Sequence, residues 1–165
     1  YSKNSKRSTY DNHIHTYTNR VIGTKFKTRA VIIDYSGSDL SNPLTFLNAL
    51  ISATTIEAGC EDGEIGGLIL YNTSKLIIFD NVEGGVGFVD ILSKKWQLVI
   101  ERAKKLCNQG CCNDGCVRCI GSFRRQRDLD HLRKKEILPL LSSIVIGSFR
   151  ISFILEILSL EVTKS

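Results

Sequence analysis

The 165 residues are 42% hydrophobic, enough for one compact core with a small appendage held by cysteines. No charged n-region followed by an apolar h-region opens the chain, which argues against secretion and for reduced thiols. The longest apolar stretch, Ile137 to Leu160, contains Pro139, Arg150 and Glu156, which argues against a transmembrane helix.

The net charge of +5 hides a segregation. Residues 1–29 carry seven Lys/Arg against Asp11, residues 30–93 carry Lys75 against nine acids, and residues 94–136 carry twelve Lys/Arg against five acids. Two basic ends flank an acidic middle, a distribution that favours a polyanionic partner such as nucleic acid. The chain begins at Tyr1 and has no methionine, so it reads as part of something longer.

Residues 1–24 are rich in Ser, Asn, Lys and Thr without apolar periodicity and read as a polar arm, with a single α/β domain over 25–165. "RAVIIDYSG" is a β-branched run closed by Ser and Gly, suited to a strand buried on both faces. Asn42 then offers a cap and Pro43 fits the first helical position, with Leu44, Leu47, Ile51 and Thr54 on one side and Gly59 as the stop. "GGLILYNTSKLIIFDN" reads as two strands joined through Asn72, Thr73 and Ser74. The glycines of "NVEGGVGF" are followed by Phe88 and Val89, not by the Lys and Ser/Thr of a phosphate loop, so they read as a strand-to-helix turn.

From Ser93 a helix is expected, with Trp96, Val99, Ile100, Ala103 and Leu106 in one stripe. Asp128 is expected to cap a helix holding Leu132, Ile137, Leu138 and Leu141, which Pro139 should kink or end. Phe149 to Ile157 alternate as a half-buried strand. The whole predicts an α/β (α+β) fold: a small β-sheet covered by helices, with a cysteine-rich loop between two of them.

"CNQGCCNDGCVRC" places five of the six cysteines in residues 107–119. Thiolates two to four residues apart let one tight loop present two sulfurs to a tetrahedral zinc ion. Cys116 and Cys119 form such a pair, and Cys112 adds a third sulfur across Gly115. The fourth is Cys107 or Cys111. Because neighbouring side chains diverge, the expected set is Cys107, Cys112, Cys116 and Cys119, with Cys111 competing. The spacing leaves an iron–sulfur cluster open as an alternative cofactor. Cys60 reads as a lone thiol, His13 and His15 as a weak metal pair, and His131 as a surface residue.

"IIFDNVEGGVGFVDIL", a long helix, and then "DGCVRCIGSFRRQRDLDHLRKKEIL" resemble the zinc-binding C-terminal domain of MrfA-type superfamily 2 DNA helicases, a domain also found in helicase-associated phage-defence proteins. Phe79, Asp80, Gly84, Gly85 and Gly87 match the family's Tyr/Phe-Asp before Gly-Gly-x-Gly, and Cys116, Cys119, Ile120, Ser122, Phe123, Gln126 and Arg133 match its cysteine segment. The family often spaces its first two cysteines one residue apart, which would place one at Gly110.

The resemblance implies a cytoplasmic, zinc-binding accessory module of an ATP-dependent DNA helicase acting in DNA repair, with DNA and the motor domains, in the same or a partner chain, as partners. No Walker motif occurs, so the chain itself carries no ATPase. Lys94, Lys95, Arg102, Lys104, Lys105, Arg118, Arg124, Arg125, Arg127 and Arg133 are candidate phosphate contacts, whereas Phe123 is expected in the core in preference to stacking on a base. The competing expectation is a protein-interaction scaffold without DNA contact.

Overall fold

The structure, a computed structural model, describes residues 22–144 and 150–164. Residues 1–21 of the expected polar arm, with His13 and His15, lie outside the described residues, as does Phe149, and the last residues assigned to that arm, 22–24, instead open the first strand. Four antiparallel strands form one sheet in the order β2-β3-β1-β4: β1 (Ile22–Asp34), β2 (Ile65–Leu70), β3 (Lys75–Asp80) and β4 (Arg150–Lys164). β2 and β3 are the predicted hairpin, closed through Tyr71–Thr73 and Ser74, which takes a left-handed φ of 51°. β1 is the predicted apolar strand. Its alternation sends Val31 and Ile33 into the main core, while Ala30 joins Ile77 and Phe79 in a smaller cluster where Phe26 meets Phe79.

Among the described residues there are five α-helices, α1 (Pro43–Ala58) between β1 and β2, and α2 (Asp90–Lys94), α3 (Trp96–Cys107), α4 (Gln126–Leu129) and α5 (Lys134–Ser143) between β3 and β4. Asn42 caps α1 by accepting from the Thr45 N–H at 2.9 Å, and Gly59 ends it in the left-handed region. The helix is buried on more than the one expected stripe, because it lies between the sheet on one side and α3 on the other. Lys95 interrupts the helix expected from Ser93, leaving α2 and α3, and the predicted stripe of α3 is wholly buried.

Two expectations fail beyond the cysteines. Asp128 sits within the short α4 and caps nothing further, and a separate helix, α5, starts after Arg133. Pro139 neither ends nor interrupts α5, which runs on to Ser143. Pro139 and Lys135, whose carbonyl loses its N–H partner, both lie on the exposed side, so the missing bond is not buried in the core.

The strand-to-helix turn after β3 is organised by Asp80, which is fully buried. Its Oδ2 accepts from the Gly87 N–H at 2.5 Å and its Oδ1 from the Val89 N–H at 2.9 Å. Its backbone carbonyl accepts from Thr28 Oγ1 at 2.6 Å, tying β3 to β1. At Gly85, φ is +66° and an added Cβ would stand 2.7 Å from the Arg29 backbone nitrogen. Gly85→Ala is therefore expected to cost about 1–3 kcal/mol in urea denaturation. Gly37→Ala, where a Cβ meets nothing within 4 Å, should stay within about 0.5 kcal/mol.

A candidate four-cysteine metal centre

The cysteine loop leaves α3 at Cys107 and is pressed against α1 and α5. Cys111, Cys112, Cys116 and Cys119 bring their Sγ atoms within 4.8 Å of one another. Consecutive separations around the ring are 3.9 Å for Cys111–Cys112, 3.6 Å for Cys112–Cys119, 3.9 Å for Cys119–Cys116 and 3.6 Å for Cys116–Cys111. Four sulfurs about 2.3 Å from one tetrahedral ion stand about 3.8 Å apart, so the donor set fits zinc. All six cysteines are free, and these separations far exceed a disulfide bond of about 2.05 Å. Sulfurs this close leave room for a single ion and none for the several irons and sulfides of a cluster.

Cys112, Cys116 and Cys119 are thus brought together as expected, and the fourth member is Cys111. Cys107 is buried at the end of α3, outside this group. Neighbouring side chains do not diverge at Cys111 and Cys112, because the chain turns there and both Sγ atoms reach the same ring. Burial pushes the Cys107 thiol up to about 12, the Cys119 sulfur adds to this, and Lys134 opposes it. It is a neutral core group.

Local backbone holds the ring. The Cys116 carbonyl accepts from the N–H groups of Cys119 (3.0 Å) and Gly121 (2.9 Å), and the Cys116 N–H donates to Cys119 Sγ at 3.3 Å. Burial opposes ionisation of Cys116, but the Arg118 N–H and the neighbouring thiols outweigh it and bring the thiol down to about 7. Cys111, Cys112 and Cys119 are raised, burial being the first cause in each. A divalent cation at the centre of the ring would reverse that by stabilising every thiolate at once. At Gly115 a Cβ would stand 2.7 Å from Leu132 Cβ, so the glycine lets a fully buried leucine close the back of the loop.

Beyond the ring, α1 supplies anchors that periodicity did not single out. Asn48 Nδ2 donates to Asp128 Oδ2 at 3.1 Å while its Oδ1 accepts from Arg125 Nε at 2.8 Å. Thr45 Oγ1 accepts from the Arg133 N–H and Ser52 Oγ donates to the Ile120 carbonyl. The sequence signal for this was Thr45, Asn48 and Ser52 at helical spacing in the otherwise apolar first part of the helix.

The candidate phosphate contacts divide by setting. Lys94, Lys95, Lys105, Arg118, Arg124, Arg127 and Arg133 are exposed, and Lys104 is half-buried. Arg125 is turned inward to Asn48, and Arg102 pairs with Glu57 at 2.5 Å. Arg133 donates to the carbonyls of Asp130 and Leu132. Phe123, expected in the core, is 70% exposed, because Ser122 and Arg125 on either side of it take the inward positions. It lines a cleft of about 330 Å³ with Ile56, Asp62, Arg118 and Arg125. His131 is exposed, as expected, and Cys60 is half-buried with its thiol toward the Thr55 carbonyl.

The family comparison fits this geometry. Residues 46–120 match the MrfA Zn-binding domain. The resemblance carried by the glycine turn and the cysteines is borne out over that stretch, and the four-cysteine ring agrees with a zinc-binding domain. Among solved structures, the chain is similar to the DUF1998 helicase MrfA bound to DNA, at 25% identity over 60% of this chain and 13% of that one, with a TM-score of 0.47. The same helicase bound to DNA and AMPPNP gives 21% identity over 69% and 15%, with a TM-score of 0.49. The chain therefore spans about one seventh of the length of those helicase chains. No curated protein matches it. Among the described residues, no helix is long and apolar enough to cross a membrane.

Proposed function

We propose that this chain is a structural zinc module of an MrfA-like DNA helicase, with Cys111, Cys112, Cys116 and Cys119 as ligands and an exposed basic surface that holds the DNA backbone. The observation that carries this reading is the sulfur ring together with Arg118, exposed on the turn between Cys116 and Cys119. Zinc supplies a rigid crosslink and no reaction step. Fixing the turn fixes where Arg118 projects, so less ordering entropy is lost when it meets a phosphate. Lys104, Lys105, Arg124, Arg127 and Arg133 extend the same basic segment, whereas Arg125 serves the fold through Asn48.

The test is DNA affinity against salt. If about four of these cations engage phosphates, log affinity falls against log salt with a slope of about −4. Arg118→Glu combined with Arg124→Glu and Arg127→Glu should flatten the slope by about three and leave the fold intact. A salt-independent affinity in the parent chain would remove DNA from the proposal. The exposed Phe123 and Ile56 beside the same cleft favour a second reading, an interaction scaffold. In that case the triple variant binds DNA unchanged, and replacing Phe123 disrupts assembly.

A further inference from the structure

Lys134, the first residue of α5, is 3% exposed. Lysine is rarely buried to that degree unless it is paired. Among the described residues no carboxylate forms an ion pair with it. Its Nζ instead donates to the Gln109 carbonyl at 2.6 Å, and its backbone N–H donates to the Asp114 carbonyl at 2.8 Å. The two bonds tie α5 to the cysteine loop on either side of Cys111 and Cys112.

The ionisable side chains between those two anchors, Gln109 and Asp114, are the thiols of Cys111 and Cys112. Four thiolates carry more negative charge than one divalent ion neutralises, so a filled site leaves excess anion in a partly dry loop. An unpaired buried ammonium and an undercompensated anionic centre are each costly alone. Side by side they relieve one another.

We propose that Lys134 is the countercharge of the zinc centre: its buried ammonium, held by Gln109, stabilises the four-thiolate site and sets how firmly the metal is retained. This rests on the reading of the four cysteines as a zinc site. Lys134 acts here through the sulfurs, as a positioning residue, and is not itself a ligand.

The test compares the unmodified chain with Lys134→Gln, Lys134→Met and Lys134→Arg. Zinc affinity is measured by competition with a chromogenic chelator, and the thiolate-to-metal charge-transfer band is recorded with Co²⁺. The Gln and Met variants are expected to hold zinc about 10–100-fold more weakly, the usual range for partners of metal ligands. Their cobalt charge-transfer band should move to longer wavelength, because electrons leave a sulfur more easily once a nearby positive charge is gone. Lys134→Arg, which keeps the charge, should recover most of the affinity lost in Lys134→Gln.

Zinc held by Lys134→Gln as tightly as by the unmodified chain overturns the proposal. So does a cobalt band that stays in place while affinity falls, which would reduce Lys134 to a stitch between loop and helix. An Arg variant no better than Gln overturns it as well. An unmodified chain that takes up no zinc overturns the zinc reading itself, and this inference with it.

Discussion

Cys111→Ala and Cys112→Ala are each expected to abolish tight zinc retention, whereas Cys107→Ala should still carry one zinc per chain. The contrast follows from the sulfur positions: Cys111 and Cys112 occupy adjacent corners of the ring at 3.9 Å, and Cys107 is 2% exposed and outside it. A three-thiolate site admits water at the fourth corner, and a structural zinc site is normally closed by four protein ligands. Removing the Cys107 thiol instead costs a small core residue, about 1–2 kcal/mol.

Metal binding in small zinc modules is worth on the order of 10 kcal/mol of folding free energy. Here the loss should be largely local, since the sheet, α1 and α3 supply most of the core that the loop residues Cys119, Ile120 and Leu132 share. Chelation or Cys111→Ala should open residues 107–133 to protease while β1, β3 and α1 stay protected from hydrogen exchange. Elemental analysis with exchange mapping decides it. Retained zinc in Cys111→Ala with loss in Cys107→Ala would restore the ligand set expected from spacing.

What was legible in the sequence was local. Asn42, Pro43 and Gly59 bracket α1 because a cap, a fixed φ and a left-handed stop act within a turn of chain. The α3 stripe and the β2–β3 hairpin were legible for the same reason. The fourth cysteine was not, because whether two adjacent side chains diverge depends on the turn between them and not on their order. Phe123 and Arg125 exchanged expected roles through contacts with residues about 60–80 positions away: Ser122 with Asp62, and Arg125 with Asn48. No periodicity reports such partners. Pro139 was misleading in the opposite sense, as a local rule whose cost is small at an exposed helix position.

Asp80→Ala is the second large expected loss, about 3–6 kcal/mol in urea denaturation. Asp80 is fully buried, and its two oxygens are the acceptors for the Gly87 and Val89 N–H groups. Hydrogen bonds to a charged group contribute about 1.5–3 kcal/mol each, and removing the acceptor leaves buried donors unpaired. Asp80→Asn keeps the shape but turns an NH₂ toward one of the two N–H donors, so about half that loss is expected.

A typical domain has about 5–15 kcal/mol in hand, so the alanine variant should approach unfolding. The consequence reaches the metal centre, because Val89 and Leu92 beyond this turn are buried in the same core as Cys107, Cys119 and Ile120. Asp80→Ala should therefore also weaken zinc retention, from more than a loop's length away. A variant less than about 1 kcal/mol below the parent would show that the turn after β3 is held by its glycines and not by the carboxylate.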